Sequence, residues 1–172
     1  MIRNSLPKSL EQNDEHPVVN VSWRDARKIC EWLSKVTEKE WRLPTCEEWE
    51  TEVGTSKYPW RDYFPPNWYD GDYAVAADGK HDPAKVGVDG SKGAAPVGSF
   101  KMNVLGFYDL GRDVQEWMWD MRGEKTGKRV LRGGHWGSNA DFCEGALRFG
   151  DNPERLGSNN GFRIALSSVP EG

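Results

Sequence analysis

Cys30, Cys46 and Cys143, with His16, His81 and His135, are the thiol and imidazole groups of this chain, and their spacing limits the chemistry open to them. Three cysteines cannot all pair and none stands in a Cys-x-x-Cys spacing, so the sequence predicts neither a disulfide framework nor a zinc site. Their expected role is that of buried free thiols. His135, beside Trp136, reads as a surface or hydrogen-bonded side chain. Gly87 to Gly93, GVDGSKG, has the glycines of a phosphate loop but lacks the GK[ST] order and a strand-to-helix frame. The carboxylates of Asp109, Asp113 and Glu116 read, on their own, as Asp-turns and a buried Glu bonded to backbone.

The chemistry that does stand out is that of a surface. In the stretch RVLRGGHWGSNADFCEGALRFGDNPERLGSNNGFRIAL, Arg129 to Leu166, the two ends alternate at period two through Val130 and Leu131, then Phe162, Ile164 and Leu166, as sheet-core strands do. Between Trp136 and Asn160 most positions are Gly, Ser, Asn or Asp, and Phe142, Leu147, Phe149 and Leu156 fit no helical or strand period. This middle is expected to be loop. Cys143, Ala146, Arg148, Pro153 and Arg155 recur in it as pegs, which argues for an ordered functional loop. Several of these four apolar residues are expected to form an exposed patch among hydrogen-bonding side chains.

Elements that position such a loop are legible upstream. Residues 1–16 are a polar, aperiodic leader. Val18, Val19 and Val21 read as a short strand, and Ser22 as the N-cap of a helix to about Val36. Its core face is Trp23, Ala26, Ile29, Cys30, Leu33 and Val36. A second helix opens with a Thr45/Glu48 capping box and points Trp49 and Val53 inward. Gly54 to Gly98 carries no sustained period and reads as loops and short strands. Extended structure resumes over Pro96 to Phe100 and Gly106 to Leu110, and Val114 to Trp119 is a central strand.

Composition narrows the class. Nine Trp and nineteen Gly suggest a loop-rich fold with a core of large rings. A net charge of −4 speaks against a nucleic-acid or anionic-membrane partner. No apolar run has spanning length and no charged-then-apolar leader opens the chain, so a soluble protein without membrane insertion is expected.

The motifs HPVVNVSWRDARKICEWL, WRLPTCEEWE, YPW, APVGSF, GFYDLGRDVQEWMWD, RVLRGGHW and GFRIAL, in that order, resemble the formylglycine-generating enzyme family. The resemblance runs from Pro17 to Leu166. It implies one α+β domain over residues 17–172, of the C-type lectin type, with two helices around a small mixed or antiparallel sheet and long irregular loops.

In the oxidases of that family, two cysteines five apart after the Gly-Gly hold copper(I) and activate oxygen. Counting from Gly133-Gly134, those positions are Ser138 and Cys143 here. Copper(I) selects soft thiolates, and a hydroxyl is a poor substitute. The resemblance therefore implies a member without catalytic residues, with copper-dependent oxidation, or another catalytic activity of the same fold family, as the alternative. It implies no required cofactor, and calcium as an optional one. Asp109 and Glu116 match the family's side-chain ligands, with the carbonyls of Arg112 and Val114, although Arg112 replaces a Gly. A second such set is Asp89 with the Ser91 carbonyl, near Asp72.

The central stretch is similar to the variable region of proteins diversified by diversity-generating retroelements, which randomise solvent-facing positions on this fold. The pegs of that region fall at Ala140, Cys143, Ala146, Arg148, Pro153, Arg155 and Gly161-Phe162-Arg163. The resemblance then assigns ligand contact to Gly137, Ser138, Asn139, Asp141, Phe142, Leu147, Phe149, Gly150, Asp151, Asn152, Leu156, Gly157, Ser158 and Asn159. Randomised adenines in an Asn codon ending in a pyrimidine cannot give Glu, Lys, Gln, Trp or Met, and none of these occurs at those positions. Glu144 and Glu154 lie outside the set. The expected ligand is a protein, a glycan or a small molecule.

Overall fold

The computed structural model describes residues 14–59, 94–98, 102–111, 113–136, 138 and 140–167. The GVDGSKG segment, Asp72, Asp89, Ser91, Phe100, Arg112, Gly137 and Asn139 lie outside them, as does most of the leader.

Helix α1 spans Trp23–Thr37 and starts where a side chain can satisfy its first amides. Ser22 Oγ accepts from Asp25 N at 3.1 Å, and Asp25 Oδ2 accepts from Ser22 N at 3.3 Å. The short strand β1, Trp41–Arg42, follows, and then helix α2, Cys46–Val53, opened by the same reciprocal box between Thr45 and Glu48. Both starts were legible because a capping box is a local code. The remaining strands are β2 (Gln115–Met121), β3 (Arg129–Arg132), β4 (Phe149–Asp151), β5 (Asn160–Gly161) and β6 (Ala165–Leu166).

Strands β4-β3-β2-β5 form a mixed sheet, antiparallel except for the parallel β2–β5 pair, and β1 pairs antiparallel with β6 apart from it. Adjacent residues on a strand face opposite ways. Trp117 and Leu131 accordingly join Trp23, Ala26 and Cys30 of α1, whereas Met118 and Val130 join Cys46, Trp49 and Val53 of α2. The helices thus cover opposite faces, and β2 is a central strand as its residue types predict. The large rings are also bonded: Trp23 Nε1 donates to Met118 O (2.8 Å), Trp117 Nε1 to Val21 O (3.0 Å) and Trp49 Nε1 to Glu116 Oε2 (2.9 Å).

Several local expectations are overturned. Val18 to Val21 form no strand, because Asn20 takes a left-handed φ of 55° and donates its N–H to Gly157 O instead of to a ladder. Ile29 and Val36 are exposed rather than core, since the face of α1 that packs inward is the one carrying Trp23, Ala26 and Cys30. Ile164 and Leu166 are exposed as well, at 39% and 46%. The loop of the central stretch holds regular structure, a 3-10 turn at Ala140–Cys143 and the edge strand β4. Gly106 to Leu110 contains no strand; Asn103 instead closes a turn, its Oδ1 accepting from Leu105 N and Phe107 N at 3.0 Å each.

Candidate functional site

The site begins at the Gly-Gly after β3. Gly133 and Gly134 have φ of +94° and +69°, where L side chains are strained. A Cβ on Gly133 would stand 2.8 Å from Leu110 O, and one on Gly134 would stand 2.8 Å from Phe142 O and 2.9 Å from Cys143 Sγ. Only glycine lets the chain double back this tightly. Cys143 is fully buried there, as a peg should be.

Ser138 closes the next turn. Its Oγ accepts from His135 N at 3.0 Å, its own N–H donates to His135 O at 2.8 Å, and the residue is only 7% exposed. The structure thus places this residue, assigned to ligand contact by the resemblance, within the turn, with its hydroxyl on the backbone.

Arg132 then fastens the loop from below. It is fully buried, with Nη1 donating to Leu147 O (2.6 Å) and Ala146 O (3.2 Å), and Nη2 to Gly145 O (2.7 Å) and Glu50 Oε1 (2.9 Å). Its guanidinium lies 4.7 Å from the Trp49 ring centroid. Burial lowers its proton affinity, and the Glu50 carboxylate opposes that loss. Ala146, expected to be a packed peg, is exposed. The loop is held there through the Ala146 carbonyl. Arg148 reaches the same Glu50 oxygen through Nε (3.0 Å) and Nη2 (2.7 Å), and Arg155 pairs with Asp151 at 3.1 Å. Arg148 and Arg155 were legible as pegs, whereas Arg132 escaped the sequence reading, because an arginine after Val-Leu in a strand looks solvent-facing.

The remaining assigned positions divide by exposure. Phe142 and Leu156 are 52% and 60% exposed, with Asp141 and Asn152 also at the surface. Leu147, Phe149, Gly150, Asp151, Gly157, Ser158 and Asn159 are half-buried. Phe149 packs against the α1-side core and stacks on Phe142, centroids 6.1 Å apart, so half of the expected apolar patch leans inward. Gly150 faces the Arg122 side chain, whose Cγ would stand 2.4 Å from a Cβ there. The Asn159 carbonyl accepts from Gln115 N at 2.8 Å, which ties the far end of the loop to β2.

The carboxylates the resemblance gives to calcium meet an organic cation. Glu116 Oε2 accepts from Arg163 Nε (2.7 Å), and Oε1 from Arg163 Nη2 (2.8 Å). Burial alone would lower the Arg163 guanidinium, but Glu116, with Glu52 and Asp109 behind it, carries it above the ordinary arginine range. Asp109 Oδ2 accepts from Gly98 N, and Asp113 Oδ1 from Ala95 N. A dication at Glu116 would sit against this guanidinium, so the residues do not fit calcium there. Copper(I) fits no better, with a backbone-bound hydroxyl at Ser138 and one thiol at Cys143. Among the described residues, no group of three or more His, Cys, Asp or Glu is arranged to hold a metal ion. No helix among them is long and apolar enough to cross a membrane.

Residues 3–168 match the family model for the sulfatase-modifying factor enzyme 1-like domain. The chain is 32% identical to the formylglycine-generating enzyme of Mus musculus, over 94% of this chain and 47% of that protein. It is 37% identical to the inactive C-alpha-formylglycine-generating enzyme 2 of Bos taurus, over 88% of this chain and 50% of that protein. The chain thus spans about half the length of these curated relatives. Treponema denticola variable protein 1 superposes with a TM-score of 0.70 at 25% identity, covering 95% of this chain and 75% of that one. The fold is α+β and C-type-lectin-like, of the formylglycine-generating type.

Proposed function

The chain belongs to the sulfatase-modifying factor enzyme 1-like family, and we propose that it is a non-catalytic recognition domain that holds its ligand on the loop surface between residues 135 and 159. The observation that carries this reading is the state of the two positions where the oxidases need thiolates. Ser138 is a hydroxyl already spent on His135 N, and Cys143 is sealed from solvent against the Gly-Gly turn. A neutral hydroxyl would not hold copper(I), which leaves a single buried thiol where the oxidases have two. The similarity to a relative named as inactive is consistent with loss of chemistry on this fold.

What the loop retains is a surface suited to binding. Phe142 and Leu156 present apolar area beside the polar groups of Asp141 and Asn152, on a backbone pinned by Arg132. A rigid frame lowers the ordering cost of association, so exposed side chains can vary while the pegs stay fixed. Retroelement-driven diversification accounts for this division of labour. The similarity to a variable protein supports it. The ligand is a protein, a glycan or a small molecule.

Two experiments test the reading. Incubation with copper, oxygen and a cysteine-containing sulfatase peptide should give no aldehyde product, and turnover would overturn it. Sequencing around the gene should find a reverse transcriptase and a near-repeat of the segment coding for residues 129–163, differing opposite adenines. Absence of both would remove the diversification claim.

A further inference from the structure

Three arginines meet where β3 begins. The Arg129 guanidinium lies 3.9 Å from the centroid of the Trp23 ring, and that of Arg27 lies 5.5 Å from the same ring. Arg24, next to Trp23 on α1, is the third. Trp23 is buried, but the Trp119 ring beside it, with centroids 5.9 Å apart, is 45% exposed. Trp119 stands in the irregular part of β2, between the pairing of Trp117 with Leu131 and that of Met121 with Arg129, and its amide donates to Pro44 O rather than to β3. An open indole and the exposed Met121 therefore border the cations.

Crowding like charges costs free energy unless something answers them. Burial sets the Arg129 guanidinium below its ordinary value, and repulsion from Arg27 and Arg24 lowers it further, with Asp120 opposing. The carboxylates nearby are engaged elsewhere. Asp151, the register partner of Arg129, takes Arg155 at 3.1 Å and Asn152 N at 2.8 Å, and Asp120 accepts from Cys46 N at 2.8 Å. Among the described residues Arg129 makes no ion pair, and its hydrogen bond runs from Nη1 to Trp119 O at 2.6 Å. The other two arginines are held loosely. Arg24 pairs with Glu154 with both side chains more than half exposed, and Arg27 Nε sits 2.9 Å from Glu31 without hydrogen-bond geometry. Such exposed pairs contribute little and exchange readily for a stronger anion.

We propose that Arg24, Arg27 and Arg129 bind a phosphate monoester whose ring-bearing organic part stacks on Trp119. A guanidinium fork presents N–H groups to two phosphate oxygens at once, and a group near two negative charges answers three cations better than a singly charged carboxylate or sulfate ester. The open indole beside the charges favours a ligand with a flat ring of its own. The chain's net charge of −4 disfavours a polyanion, so the ligand is a small molecule with one such group. The site adjoins the recognition loop through Glu154 but uses none of the positions assigned to ligand contact there, so it does not depend on that reading.

Calorimetric titration of the full chain with phenyl phosphate should show one saturable site, with inorganic phosphate and phenyl sulfate each binding more weakly. Arg129→Gln should weaken phenyl phosphate about tenfold. Arg27→Gln, at a half-exposed position, should weaken it in the same direction and carries the test if Arg129→Gln folds poorly. Trp119→Leu should lower affinity for phenyl phosphate and leave that for inorganic phosphate unchanged. Absence of saturable phenyl phosphate binding overturns the proposal, as does binding that Arg27→Gln and Arg129→Gln both leave intact. Phenyl sulfate binding as tightly as phenyl phosphate would overturn the assignment to a phosphate monoester.

Discussion

Arg132 donates to Glu50 Oε1 at 2.9 Å across 82 positions of sequence, and Arg148 donates to the same oxygen at 2.7 Å. One carboxylate of α2 therefore joins the sheet to the loop. The two arginines are unequal partners, because Arg132 is fully buried and Arg148 is 47% exposed.

Removing the buried cation should be costly. Arg132→Met leaves the carbonyls of Gly145 and Leu147 without their donor and the Glu50 carboxylate with Arg148 alone, and should cost about 1–3 kcal/mol for each carbonyl left buried and unsatisfied. Arg148→Ala, at the surface, should move stability by about 0.5 kcal/mol. Urea unfolding of both variants checks this, and equal losses would contradict the division.

Binding and folding should separate within the loop. Phe142→Ser and Leu156→Ser remove exposed area and should change stability by about 0.5 kcal/mol while weakening ligand binding. Trp117→Ala and Phe162→Ala remove packed rings and should cost roughly 3–5 kcal/mol. Phe149→Ser belongs between them because it leans on the core. Thermal melts that placed Phe142 and Leu156 with Trp117 would mean the surface is core, and the recognition reading would fall.

The acid limb of stability should carry a signature of Glu48. Its hydrogen bonds from Arg42, at 2.6 Å each, lead the causes that hold its carboxyl down at about 2, against an ordinary 4.5. A depressed folded-state pKa gives stability that is complete above 4.5 and is lost as pH falls from there toward 2. Glu52 acts oppositely: burial raises its carboxyl, so its contribution fades as pH rises. Melting curves for Glu48→Gln should lie below wild type at neutral pH and converge with it near pH 2. Parallel curves at all pH values would remove Glu48 as the source.

Any calcium effect should bypass Glu116. Its carboxylate already holds Arg163, so the shift in melting temperature on adding excess chelator should be the same for wild type and Glu116→Gln. A chelator shift present in wild type and lost in Glu116→Gln would restore Glu116 as a calcium ligand.

Much of the frame was written in local sequence. Ser22 with Asp25 and Thr45 with Glu48 fix the helix starts within four residues, and Trp117 and Met118 mark a strand buried on both faces by their types alone. The loop between Trp136 and Asn160 announced itself through Gly, Asn and Ser at most positions. Its strand β4 did not, because Phe-Gly-Asp has little strand propensity and takes that shape by pairing with Arg129, Val130 and Leu131.

What the sequence determined by itself was therefore whatever neighbours in the chain can settle: caps, periodicity, the demand for glycine at Gly133-Gly134, and a motif order that places the chain in its family. The tertiary structure alone decided which charges are buried together. Arg132 found Glu50 and Arg163 found Glu116 across separations of 82 and 47 residues, and no local pattern distinguishes such arginines from solvated ones. It also decided that Ile29 and Val36 face water, because an apolar residue is core only where another element arrives to cover it.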